Sequence, residues 1–169
     1  MAERIPPMPL RSTPEPRMAR RVRPLSGDGM PDPLSGLMSR RPRLRVMIAE
    51  DNGWLLEGMA DILSFRGAAV RKVADPGDIL RMLSGFRPHV LVLADWFARK
   101  RVGLEAVIPD VASRFPGVRV IVTVVDPSHG APGVREARVW GAAGILPKDS
   151  VLAGDWLRRA VADAVQRGL

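Results

Sequence analysis

L-R-V-M-I-A-E-D-N, residues 44–52, is the stretch that decides the fold. Val46 to Ala49 make an apolar run too short for a helix, the pattern of a strand covered on both faces in a parallel sheet. The run stops at two adjacent carboxylates, Glu50 and Asp51. In open α/β sheets, ligands bind in the crevice beyond the carboxyl ends of the strands. Two acids placed there repel each other unless a cation or hydrogen bonds compensate them, and hard divalent cations such as Mg2+ favour oxygen donors. A plainer reading has equal standing: both acids cap the helix that follows.

Outward from this stretch, strand-like and helix-like patterns alternate. Leu55, Met59, Ile62 and Leu63 sit at helical spacing, with Gly67 as a stop. Ala68–Val73 reads as a second strand, and Ile79, Leu80, Leu83 and Phe86 as a helix closed before Pro88. Val90–Leu93 is another apolar run that leads to an acid, Asp95. Leu104, Val107, Ile108, Val111, Ala112 and Phe115 trace a third helix, in which Pro109 predicts a kink or a late start. Val118–Val125 is a strand, Val134, Ala137 and Trp140 a helix ending at Gly141, and Ile145 and Leu146 a short strand. Residues 156–165 close the chain as an amphipathic helix, and at least one of Trp140 and Trp156 is expected in the core. Five βα units predict an α/β fold with a doubly wound parallel sheet.

The strand ends would gather Glu50 and Asp51, Asp95, Thr123 or a neighbour, and Lys148. Three acids, a hydroxyl and a lysine suit acceptance of a phosphoryl group onto a carboxylate. Asp95 would be the nucleophile and would share Mg2+ with Asp51, while Lys148 and Thr123 would meet phosphoryl oxygens.

Composition removes other classes. Without cysteine there is no disulfide, thiolate metal site or cysteine nucleophile. His89 and His129 have no metal-ligand spacing, so a zinc enzyme is not expected. No apolar run is long enough to span a bilayer and no signal peptide is evident, so a cytoplasmic protein without a membrane partner is expected. The net charge of +8 belongs mostly to the N-terminus: residues 1–45 hold ten arginines against four acids, and the remainder sixteen basic against fourteen acidic side chains. Residues 1–43, rich in Pro and Arg, show no apolar period and read as a disordered extension preceding a domain at 44–169. A solvated tail is preferred there over a contact with nucleic acid or anionic lipid.

E-D-N at 50–52, G-L-E at 103–105 and G-A-A-G-I-L-P-K-D at 141–149 resemble the receiver domain of bacterial two-component response regulators, in the variety found with LuxR-type output domains. The resemblance covers about residues 44–167. It implies a flavodoxin-like (βα)5 fold with strand order 2-1-3-4-5 and phosphoryl transfer to Asp95 from a histidine kinase or histidine phosphotransfer protein. It also implies Mg2+ held by Glu50, Asp51, Asp95 and the Phe97 backbone carbonyl, with Thr123 and Lys148 binding the phosphoryl group. A phosphorelay role ending in contact with a downstream protein follows, and a homodimer is compatible with it. Several positions depart from the family. Glu50 replaces an Asp, A-R-K-R at 98–101 replaces a Met-Pro pair, and Ile145 stands where an aromatic is common. Spacing from Pro88 selects Ala94 as acceptor, whereas spacing from Asp51 and Gly103 selects Asp95. Spacing from Asp95 favours Thr123 as the hydroxyl, and spacing from Pro116 selects Val124. These departures keep two alternatives: a degenerate receiver acting by contact alone, and a regulatory domain whose basic arm touches nucleic acid.

Overall fold

The computed structural model describes residues 44–64, 67–128, 130–153 and 155–167. The extension expected at 1–43 lies outside the described residues, as does His129. Seven strands are described: β1 (Arg45–Ala49), β2 (Ala69–Val73), β3 (Val90–Ala94), β4 (Trp96–Phe97), β5 (Val102–Gly103), β6 (Arg119–Val124) and β7 (Gly144–Pro147). The helices are α1 (Gly53–Ser64), α2 (Ile79–Phe86), α3 (Ile108–Arg114), α4 (Pro132–Val139) and α5 (Trp156–Gln166). Five strands form a parallel sheet in the order β2-β1-β3-β6-β7, and β4 and β5 pair as a separate antiparallel hairpin. With the hairpin strands left out of the count, this is the expected order 2-1-3-4-5.

Alternation along the strands builds two cores. Val46, Ile48, Val90, Val92 and Ile121 face one side, where Leu55, Leu56, Met59 and Leu63 of α1 and Leu157, Val161 and Ala164 of α5 cover them. Met47, Ala49, Leu91, Leu93, Val122 and Val124 face the other, under Ile79 and Leu83 of α2, Ile108 and Val111 of α3, and Val134 and Ala137 of α4. Strands buried on both faces need apolar residues at every position, which is why these runs lack the polar alternation of a half-exposed sheet.

Local chemistry sets the helix ends. Asn52, rather than either preceding acid, caps α1: its Oδ1 accepts from Trp54 N at 3.1 Å and Leu55 N at 3.3 Å. The third helix starts late, after a 3-10 turn at Leu104–Ala106, with Pro109 in its first turn where a missing N–H costs nothing. α2 stops as Arg87 turns left-handed, with φ 50°, before Pro88. Both Trp140 and Trp156 are exposed, contrary to the expectation that one would be in the core. Trp140 falls just past the end of α4 and Trp156 opens α5, while smaller residues fill the inward stripes of these helices. At the sheet edges, β2 presents exposed Arg71 and Lys72, and four-residue β7 ends in Pro147.

One side chain just before β3 gives a pH-dependent contribution. His89 Nδ1 accepts the Arg45 backbone N–H at 3.0 Å, so the neutral ring carries its proton on Nε2. Burial, and secondarily the Arg45 charge, hold the His89 pKa below its ordinary 6.5. Below pH 6.5 the unfolded chain therefore takes up this proton more readily than the folded one. The contribution is complete above 6.5 and is lost as pH falls beneath it. His89→Asn supplies a non-titrating acceptor, so its stability should fall less than that of the wild type between pH 7 and 5 in urea titrations. Equal slopes for the two proteins would remove His89 from the account.

Candidate functional site

The carboxyl ends of β1, β3, β6 and β7 bring Glu50, Asp95, Val125 and Lys148 to one rim. Glu50 is 1% exposed, and its Oε1 accepts from Asn52 N at 3.0 Å. Its Oε2 lies 3.0 Å from Lys148 Nζ, and the same ammonium stands 3.4 Å from Asp95 Oδ1. Both carboxylate oxygens are buried without an aligned hydrogen-bond donor, so Lys148 joins them as an ion-pair partner only. Asp95 Oδ2 accepts the Val125 backbone N–H at 3.2 Å. Gly133 in the first turn of α4 closes over this carboxylate, since a Cβ there would lie 3.1 Å from Asp95 Cβ and Oδ2.

Asp51 stands aside from this group. Its Oδ2 accepts from Arg99 N at 3.1 Å, on the turn that joins β4 to β5. Opposite directions for neighbouring acids follow from strand alternation at the end of β1. Asp51, Phe97, Arg99, Lys100 and Asp75 line a cavity of about 200 Å³. Lys100 Nζ is 3.3 Å from Asp75 Oδ2, and Asp75 Oδ1 accepts from Gly77 N at 2.9 Å. The Gly77 N–H first, and Lys100 next, hold the Asp75 pKa below the ordinary carboxylate value.

In kind, the donors fit the Mg2+ that the resemblance implies. Glu50, Asp51, Asp95 and the Phe97 carbonyl offer only oxygen, and two of the carboxylate oxygens are buried without a hydrogen-bond donor. They are not gathered in advance: among the described residues no three His, Cys, Asp or Glu side chains form a metal-holding group.

Thr123 is fully buried, and its Oγ1 has no hydrogen-bond partner. The register pairs Thr123 with Ala94, and alternation sets it on the sheet face of Ile121. Val124 shares the opposite face with Val122, where Ile145 also packs. Ala94 belongs to that core as well, whereas the Asp95 side chain reaches the rim. The Val125 and Arg99 backbone N–H groups and the close approach of Gly133 were not read from the sequence. Backbone donors carry no residue-type signal, and only A-P-G at 131–133, a small-residue helix start, hints at the last.

No family model matches the sequence. Among solved structures, the chain is similar to the signal receiver domain of NarL from Mycobacterium tuberculosis, with 25% identity and a TM-score of 0.58. That likeness covers 74% of this chain and 94% of the other. The described domain has the fold of a response regulator receiver. The isolated REC domain of RcsB from Salmonella enterica serovar Typhimurium, solved with phosphomimetic BeF3-, is 20% identical with a TM-score of 0.61. It matches over 75% of this chain and 99% of its own, and the chain spans 66% of a longer RcsB structure. A curated dihydroorotase of Alcanivorax borkumensis is 29% identical over 86 residues, 45% of this chain. The chain spans only 25% of that relative's length. No helix among the described residues is long and apolar enough to cross a membrane.

Proposed function

We propose that this chain accepts a phosphoryl group on Asp95 from a histidine kinase or histidine phosphotransfer protein and signals onward by protein–protein contact. One observation carries the reading. The Asp95 carboxylate sits at a strand end of a receiver fold, with Lys148 Nζ 3.4 Å from one oxygen and a backbone N–H 3.2 Å from the other.

Asp95 attacks phosphorus, and the bond from phosphorus to the donor's imidazole nitrogen breaks with its electron pair going to the ring. Lys148 lies where it can share a phosphoryl oxygen, and its pairing with Glu50 keeps the ammonium at the rim. A buried hydroxyl without a partner is costly, and a phosphoryl oxygen would give Thr123 Oγ1 one. Glu50, Asp51, Asp95 and the Phe97 carbonyl are the residues assigned to hold Mg2+. When bound, that cation neutralises carboxylate charge and polarises phosphoryl oxygens. Asp95 is thus the group modified, so the chain acts as a phosphoprotein rather than an enzyme. The likeness to a dihydroorotase spans a quarter of that protein and supplies no second reading.

The test is incubation of the full chain with labelled acetyl phosphate and Mg2+. The expected result is a single label, released by hydroxylamine as acyl phosphates are and prevented by chelation. A folded protein left unlabelled by both acetyl phosphate and phosphoramidate would instead be a degenerate receiver, acting by contact alone.

A further inference from the structure

A cavity of about 440 Å³ opens at the amino ends of β1, β3 and β6, the end of the sheet opposite Asp95. Arg45, Arg87 and His89 line it, together with Leu83, Phe115 and Val118. No carboxylate belongs to the lining. Arg45 Nε donates to the Arg87 carbonyl at 2.8 Å, which fixes the guanidinium and leaves its Nη groups without an acceptor among the described residues. Among the same residues, no carboxylate lies within ion-pair distance of Arg87. Because His89 Nδ1 is taken by the Arg45 backbone N–H at 3.0 Å, the ring keeps its Nε2 proton as a further donor.

Arg87 is held at φ 50° and ψ 60°, the left-handed region where glycine is favoured. Its exposed side chain belongs to neither core, so packing gives no reason for an arginine at this strained helix end. The rest of the lining is apolar, with Leu83 fully buried and Phe115 and Val118 half-buried. Arg114 stands 5.8 Å from the centre of the Phe115 ring, so the charge beside the cavity is positive as well. Guanidinium forks match planar or tetrahedral oxyanions through paired hydrogen bonds. A cavity of this size, polar at one group of residues and apolar at the rest, suits a small organic molecule better than a lone ion.

We propose that this cavity binds a small amphiphilic oxyanion, a carboxylate or phosphate monoester carried on an apolar body of one or two rings. Arg45 and Arg87 take the head group, the His89 Nε2–H adds a hydrogen bond, and Leu83, Phe115 and Val118 cover the body. The site goes beyond phosphoryl transfer and does not depend on Asp95. A five-residue strand sets the two ends of the sheet roughly 16 Å apart, so one small molecule does not reach both.

The experiment titrates the full chain with 2-naphthoate and with 2-naphthyl phosphate, followed by the NMR signals of the arginine Nε–H groups and the His89 ring. Each should bind saturably with a dissociation constant of about 1 mM, the scale for a ligand of this size, and the tighter of the two identifies the head group. The Arg45, Arg87 and His89 signals should shift while those of Asp95 and Lys148 stay in place. Neutral 2-naphthamide, and acetate or inorganic phosphate without the ring, should each bind roughly tenfold more weakly or worse. Arg87→Gly suits the left-handed backbone and protects folding, and it should weaken 2-naphthoate roughly tenfold without lowering the melting temperature. With Arg45→Gln added, the preference for the anion over the amide should disappear. No saturation by either oxyanion up to about 10 mM would overturn the site. So would equal affinity for 2-naphthamide, unchanged affinity in Arg87→Gly, or shifts centred on Asp95 and Lys148.

Discussion

Asp95→Asn should take up no phosphoryl group under conditions that label the wild-type chain. The amide keeps the shape of the side chain, and its Oδ1 can still accept the Val125 N–H that Asp95 Oδ2 accepts at 3.2 Å. It has no anionic oxygen to attack phosphorus, so labelling should fall to background rather than by a fraction. Folding should survive, because the change removes one of the carboxylates crowded around Lys148. A thermal midpoint at or above the wild-type value would separate lost chemistry from lost structure. Labelling of the variant at the wild-type rate would move the acceptor elsewhere, with Asp51 the first residue to test.

Lys148→Met should cost about 3 kcal/mol of stability, the scale of a buried ion pair broken by removing one partner. Glu50 is nearly sealed from water at 1% exposed, and Lys148 is the cation beside its Oε2. Methionine fills the volume of the lysine stem but leaves two carboxylates without their cation. For a domain of this size the loss corresponds to a fall of about 10 °C in the melting temperature. Adding Glu50→Gln should recover much of it, since less uncompensated charge remains. A deficit under about 1 kcal/mol in Lys148→Met would mean that water already screens Glu50.

The sheet was legible because its strands are buried on both faces, and such runs stand out in any sequence. The late start of α3 was legible too, from Pro109 alone. Other features depend on geometry that residue types do not encode. The β4–β5 hairpin was missed because Trp96–Phe97 and Val102–Gly103 are two-residue strands with no room for a period. Asn52 was overlooked beside the two acids, although its short side chain is the one that reaches the first N–H groups of α1. For the hydroxyl, spacing left Thr123 and Val124 open. The structure gives the reason for caution, since one residue along a strand exchanges the two sides of the sheet. Asp51 shows the same limit: adjacent to Glu50 in sequence, it points to the hairpin turn rather than to Lys148.

The sheet edges carry a consequence for how copies of this domain meet. A bare edge strand is a template for another chain, and proteins blunt it with charge, brevity or proline. Here β2 exposes Arg71 and Lys72, with Lys72 held by Glu57 at 2.6 Å, and short β7 ends in a residue that has no N–H. Extending the sheet from one molecule into the next would desolvate those cations on one side and find only a four-residue strand on the other. Self-association of this domain is therefore directed to its helical surfaces. The same two borders guard the folded chain against fibril-like stacking.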